Sequence, residues 1–322
     1  MIVKSLFRPA RWLPGPHLQT LWHRVAKDPP RPATRRERLE LPDGDFLDLD
    51  WLSAAPGVPE DAPLVCVFHG LAGSINSPYA RSILNALQAK GFRAVLMHFR
   101  GCGGTPNRLA RAYHSGDTGD VRYFVQQLRA RGEVGPLLAV GFSLGANVLV
   151  KFLGEEGEQS PFAAAVAVSP PLVLSNGADT LRRGFARVYQ TWLLRQLKAT
   201  ARDKASAGLL PPTVSMDKVL NAKDFWQFDS AFTAPLHGFR DAAHYFEASS
   251  GKPFLKRIRV PTLVILSRDD PFYTSDVLPT DAELSERVTL ELADHGGHVG
   301  FVGPGGKPWL DLRIPEWLTA HA

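Results

Sequence analysis

Short apolar runs alternate with amphipathic stretches along most of this 322-residue chain. Residues 64–68, 94–98, 137–142, 164–168, 263–266 and 288–292 are almost wholly apolar. Runs this short, without the polar alternation of a half-exposed strand, predict strands buried on both faces. Helical periodicity near 79–90, 117–131 and 146–153 separates several of them. Asp117 and Asp120 read as the N-cap and first-turn acid of the second of these helices, which gives Ser115 and Asp117 structural roles first. Upstream, 38–41 and 46–51 flank Pro42-Asp43-Gly44-Asp45, whose Asp-Gly pair predicts a hairpin. The alternation as a whole predicts an α/β chain with a mostly parallel central sheet and helices on both faces.

The pattern breaks at about 171–252, and an insertion there predicts a helical lid. Leu181, Phe185, Val188 and Trp192 recur at helical spacing, with Arg182, Arg183, Arg187, Arg195 and Lys198 at other positions. We expect the stripe to pack on the core and roof an acyl pocket. The alternative is a basic amphipathic helix that also touches an anionic lipid surface. Phe225, Trp226, Phe228, Phe232 and Phe239 add aromatic bulk, read as lid core and pocket wall rather than a nucleic-acid platform.

The chemistry begins where the run 137–142 meets Gly141-Phe142-Ser143-Leu144-Gly145. A Gly-x-Ser-x-Gly turn between strand and helix is too tight for flanking side chains and lifts the serine hydroxyl clear of the sheet. A serine hydroxyl is a weak nucleophile, so it needs a histidine base oriented by an acid. In the α/β-hydrolase fold the order is serine, acid, histidine. Here the strand at 263–266 runs into Asp269-Asp270-Pro271-Phe272, and the strand at 288–292 into His295-Gly296-Gly297-His298-Val299-Gly300. We assign Ser143 as nucleophile, His298 as base and Asp270 as orienting acid, with Asp269 and His295 as the alternatives. The oxyanion would be held by the backbone N–H of Leu144 and by that of Leu71, in the loop 69–73 after the strand at 64–68. His69, ending that strand, is read as structural.

Beyond this pattern, four stretches resemble the YheT-type branch of the α/β-hydrolases, which includes the animal ABHD1- and ABHD3-like proteins. They are Pro16-His17-Leu18-Gln19-Thr20-Leu21, the segment 98–108 from His98 to Arg108, Tyr113-His114-Ser115-Gly116-Asp117-Thr118, and the paired loops 269–272 and 295–301. The resemblance covers nearly the whole chain and implies a triad of Ser143, Asp270 and His298. It also implies esterase or lipase-like action on medium acyl chains. Ala146 stands where a further glycine is common in that branch.

Composition agrees with one globular domain over 1–322. Cys66 and Cys102 do not make a disulfide framework. The opening segment has no apolar core of signal-peptide length, and no stretch reaches the ~20 apolar residues of a membrane helix, so a cytoplasmic protein is expected. Residues 1–40 hold nine Lys or Arg against three Asp or Glu, while the whole chain is only +5. The expectation is a solvated basic arm, with weak membrane-surface contact as the minority reading and no nucleic-acid partner. Without a phosphate-binding glycine loop or a metal-spaced His or Cys pair, no cofactor is expected, and the partner is a small ester or lipid.

Overall fold

Alternate side chains of the buried strands enter two different cores. In the computed structural model, which describes residues 1–322, Leu64, Cys66 and Phe68 join one core while Val65 and Val67 join the other. The strands are β1 (Ile2–Lys4), β2 (Thr34–Glu40), β3 (Phe46–Leu52), β4 (Leu64–Phe68), β5 (Arg93–Met97), β6 (Leu137–Phe142), β7 (Phe162–Val168), β8 (Thr262–Ser267) and β9 (Val288–Ala293). They form one sheet in the order β1-β9-β8-β7-β6-β4-β5-β3-β2. Every pairing from β1 through β5 in that order is parallel, and the β2–β3 hairpin closes the far edge antiparallel. This is the α/β-hydrolase fold.

The helices are α1 (Pro16–Val25), α2 (Pro78–Ala89), α3 (Gly119–Ala130), α4 (Leu144–Glu156), α5 (Leu174–Thr180), α6 (Ala186–Ser206), α7 (Met216–Asn221), α8 (Phe225–Phe228), α9 (Ala234–His237), α10 (Ala242–Ser249) and α11 (Leu310–Thr319). Ile83, Leu84 and Leu87 of α2 and Ile314 and Leu318 of α11 cover one face of the sheet. Phe124 and Leu128 of α3 and Leu149 and Phe152 of α4 cover the other.

Three expectations need correction. Residues 1–40 are not a solvated arm: β1 extends the sheet beside β9, and Phe7, Ala10, Leu13 and Gln19 are buried. The positive charges interrupt a segment whose few apolar side chains still suffice to dock it. The lid stripe is also split. Gly184, at φ 49°, separates α5 from α6, so Leu181 packs inward while Phe185 and Val188 point to solvent. The buried face of α6 is formed instead by Tyr189, Leu193, Leu194 and Ala201. Finally, α3 starts at Gly119 with Thr118 rather than Asp117 as N-cap, while Asp120 lies in its first turn as expected. Asp117 pairs with Arg111 and Asp120 with Arg100, because buried carboxylates take the strongest partner within reach.

The segment 98–108 is a brace. Arg100, 4% exposed, binds Asp120 with two bonds and reaches Asp43 and Asp45 in the β2–β3 turn. Asn107 donates to Asp45 and accepts from Lys204 of α6 at 2.7 Å, which ties the lid to the hairpin. Such burial of charge is tolerated only with this density of pairing.

Candidate active site

Ser143 sits at the point where β6 turns into α4, with φ 50° and ψ −117°. A non-glycine residue there is strained, and the turn leaves no room on either side. A Cβ on Gly145 would lie 2.4 Å from the His69 carbonyl oxygen, and one on Gly141 2.7 Å from the Ala146 Cα. Both glycines are therefore dictated by packing, and the methyl of Ala146 is fully buried without conflict.

The serine meets two side chains from distant loops. Ser143 Oγ donates to His298 Nε2 at 2.8 Å, and His298 Nδ1 donates to Asp270 Oδ2 at 2.8 Å. Asp270 is buried, and its other oxygen accepts the Phe272 N–H at 2.8 Å. The alternative residues pair with each other: His295 Nδ1 lies 3.2 Å from Asp269 Oδ2, and Gly297 N–H donates to Asp269 Oδ1. Asp269 thus shapes the histidine loop, and His295 remains largely in solvent.

The loop that carries His298 is held from three sides. The His298 N–H donates to Thr20 Oγ1 of α1, the Val299 N–H donates to Ser169 Oγ after β7, and Gln19 bonds both the N–H and the carbonyl of Val302. Gly297, at φ 60°, lies so close to α1 that a Cβ would fall 2.5 Å from the Pro16 carbonyl oxygen. The stretch 16–21 therefore belongs to the site. Its signal in the sequence was the family resemblance, because no local pattern marks a helix as the anchor of a loop so far along the chain.

The loop 69–73 is set by two tyrosines. Gly70 N–H donates to Tyr79 Oη and Ala72 N–H to Tyr113 Oη, each at 2.8 Å. Burial pushes both phenols up, so they stay protonated. Between them the Leu71 N–H has no acceptor, and neither has that of Leu144 at the start of α4. Free amides at a helix N-terminus favour an anion. His69 Nδ1 donates to the Gly70 carbonyl and its Nε2 accepts the Phe99 N–H. Burial pushes this imidazole down to about 3, so it is a neutral tie between the ends of β4 and β5.

Above these groups lies a cavity of about 450 Å³ bounded by Ser143, Leu144, Leu71 and His298 below and by Leu181, Trp192, Leu193 and Phe225 of the lid. Asn147, one turn after the serine, is buried. It donates to the Ser115 and Ser249 carbonyls and accepts from Gly251 N–H, holding the hinge where the lid returns. Nothing in the local sequence distinguished Asn147 from an ordinary helical residue.

The α/β hydrolase fold family matches residues 63–303. The chain belongs to that family. Among its relatives is the Escherichia coli protein YheT, described as a candidate esterase, which is 43% identical over 98% of this chain and 93% of that protein. A Saccharomyces cerevisiae medium-chain fatty acid ethyl ester synthase/esterase is 34% identical over 80% of this chain and 62% of that one. Human phospholipase ABHD3 is 27% identical over 99% of this chain and 80% of that one. The YheT-type resemblance read from the sequence stands. Among solved structures, a Pyrococcus furiosus esterase covers 91% of this chain and 99% of its own at 17% identity and a TM-score of 0.57. The likeness is one of fold. No helix of this hydrolase-family chain is long and apolar enough to cross a membrane.

Proposed function

We propose that this protein is a serine hydrolase of carboxylic esters that works through an acyl-enzyme on Ser143. The observation that carries this reading is the continuous chain of 2.8 Å hydrogen bonds from Ser143 through His298 to Asp270 beneath an apolar cavity. As Ser143 Oγ attacks the ester carbonyl, His298 Nε2 takes its proton, and Asp270 fixes the tautomer and stabilises the imidazolium. The carbonyl oxygen, now negative, moves toward the free N–H groups of Leu71 and Leu144. Collapse expels the alcohol, which leaves with the proton from His298. A water, deprotonated by the same nitrogen, then releases the acid.

The cavity of about 450 Å³ supports short to medium acyl chains, and the name of the yeast relative supports the medium end of that range. Transfer of the acyl group to an alcohol instead of water uses the same residues. The synthase/esterase name of the yeast relative favours keeping it as the second reading. Free Cys66 and Cys102 agree with a cytoplasmic protein. The exposed Phe185 and Val188 beside Arg183 and Arg187 support weak contact with an anionic membrane surface.

A fluorophosphonate probe tests the nucleophile, and an ester panel with product analysis in water and in added alcohol tests the reaction. Labelling should fall on Ser143, and Ser143→Ala should lose ~10⁴-fold or more in turnover while keeping its circular dichroism. Unchanged hydrolysis by that variant would remove the mechanism.

A further inference from the structure

Under the lid, one part of the cavity wall sets polar side chains among aromatic ones. Between α8 and α9 the lid makes a π-helical turn, Asp229–Thr233, a widening that recurs at functional sites. Its first residue, Asp229, is 7% exposed and borders the cavity. Asp229 Oδ1 accepts from Thr233 Oγ1 at 2.5 Å, and no donor reaches Oδ2. Eight residues on, His237 also borders the cavity, with a buried Nε2 that has no partner. The ring of His114 lies 4.5 Å from that of His237. His114 Nδ1 accepts the Gly116 N–H, which leaves its Nε2 proton without an acceptor. Around them stand Phe228, Phe232, Tyr245 and Phe246.

Unpartnered polar atoms inside an aromatic wall are costly unless something meets them. None of the three residues bonds to Ser143, His298 or Asp270, so the proposed acyl-transfer chemistry does not explain them. The charge around them narrows the choice. Burial pushes His114 and His237 down to about 3, with Arg111 acting in the same direction on both. Burial pushes Asp229 up to about 7. The cationic Arg111, Arg100 and Lys204 disfavour positive charge at His237, and burial disfavours negative charge at Asp229. An uncharged group that both donates and accepts matches the polar atoms these side chains leave open.

We propose that Asp229, His237 and His114 form a subsite for a hydroxyl group that the substrate carries away from its scissile ester. The favoured substrates are then hydroxylated esters, with the hydroxyl either on the acyl chain or on the alcohol part, as in partial esters of polyols. This rests on the serine-hydrolase reading of the site below it. A subsite built to hydrogen-bond a hydroxyl discriminates strongly against the analogue without one, since its buried polar groups are otherwise left unpaired.

The test uses the full-length protein and two matched ester sets. One set places a hydroxyl at successive carbons of the acyl chain against the unsubstituted acyl ester, and the other compares dihydroxypropyl with propyl esters. We expect kcat/KM to favour one hydroxylated set by about tenfold or more. The favoured set identifies which half of the substrate the subsite holds. Asp229→Leu and His237→Phe should reduce that ratio to near one while leaving kcat/KM for the unsubstituted ester within about threefold. If Asp229→Leu fails to fold by circular dichroism, His114→Phe provides the same comparison from the opposite wall. Equal kcat/KM for both members of every pair in the parent protein would overturn the subsite, and so would variants that keep the preference. Failure of the underlying reading looks different: the unsubstituted ester would not be cleaved and Ser143 would not be labelled.

Discussion

Phe272 lies flat on the imidazole of His298, with ring centroids 3.8 Å apart and planes within 3°. The same residue gives its backbone N–H to Asp270 and sets its ring 5.2 Å from that of Tyr189 on the lid. One residue thus braces the His298 imidazole and links it to the roof.

Removing that ring frees one face of the imidazole. Phe272→Ala should lower kcat by about 10² through loss of alignment, with KM for a small activated ester nearly unchanged. Phe272→Tyr should retain most of the activity, because it keeps the stack. Steady-state kinetics with a short-chain ester checks both.

The two adjacent aspartates should separate cleanly. Asp270→Asn disturbs the tautomer of His298 and should cost about 10⁴ in kcat. Asp269→Asn touches only the Gly297 amide and the exposed His295, so its loss should be at least an order of magnitude smaller. A reversed ranking would mean that the loops rearrange when substrate binds.

The lid distinguishes residues that face the cavity from those that face water. Each acyl methylene removed from water is worth up to ~0.8 kcal/mol, so kcat/KM should climb with chain length and then stop. Trp192→Ala, on the cavity wall, should move or flatten that optimum. Phe185→Ala, 49% exposed, should leave it in place. A chain-length series on both variants decides the matter.

A stability prediction comes from the opposite face of the sheet. Asp311 of α11 accepts the Ser82 hydroxyl of α2, and burial pushes its carboxyl from 3.8 up to about 6. Between those two values the native state therefore holds the protonated form while the unfolded chain has released its proton. Its contribution to stability is complete below the ordinary value near 3.8 and is lost as pH rises through about 6. Asp311→Asn should gain in Tm relative to the parent between those pH values, and the difference should level off above them. Thermal melts across that range measure it; a constant difference would refute the shift.

The strands were legible because their burial on both faces writes them as unbroken apolar runs, and β4 and β6 fall on the residues those runs mark. Ser143, Asp270 and His298 were legible because each sits just past a strand end, where the fold exposes side chains to a common space. What stayed hidden depends on contacts across the chain. β1 is three residues long and has meaning only beside β9. Tyr79 and Tyr113 look like ordinary aromatics until their hydroxyls are seen on the two amides flanking Leu71. The break at Gly184 redirected a stripe that periodicity alone made continuous, since a turn in the left-handed region resets the helical phase.

The bond from the His298 amide to Thr20 spans 278 residues. During synthesis α1 is therefore made well before the loop it steadies. The intervening strands can pair in turn behind it, but the base that would activate Ser143 does not yet exist. On the proposed mechanism a growing chain is silent toward esters, and turnover waits until α1 and the His298 loop meet.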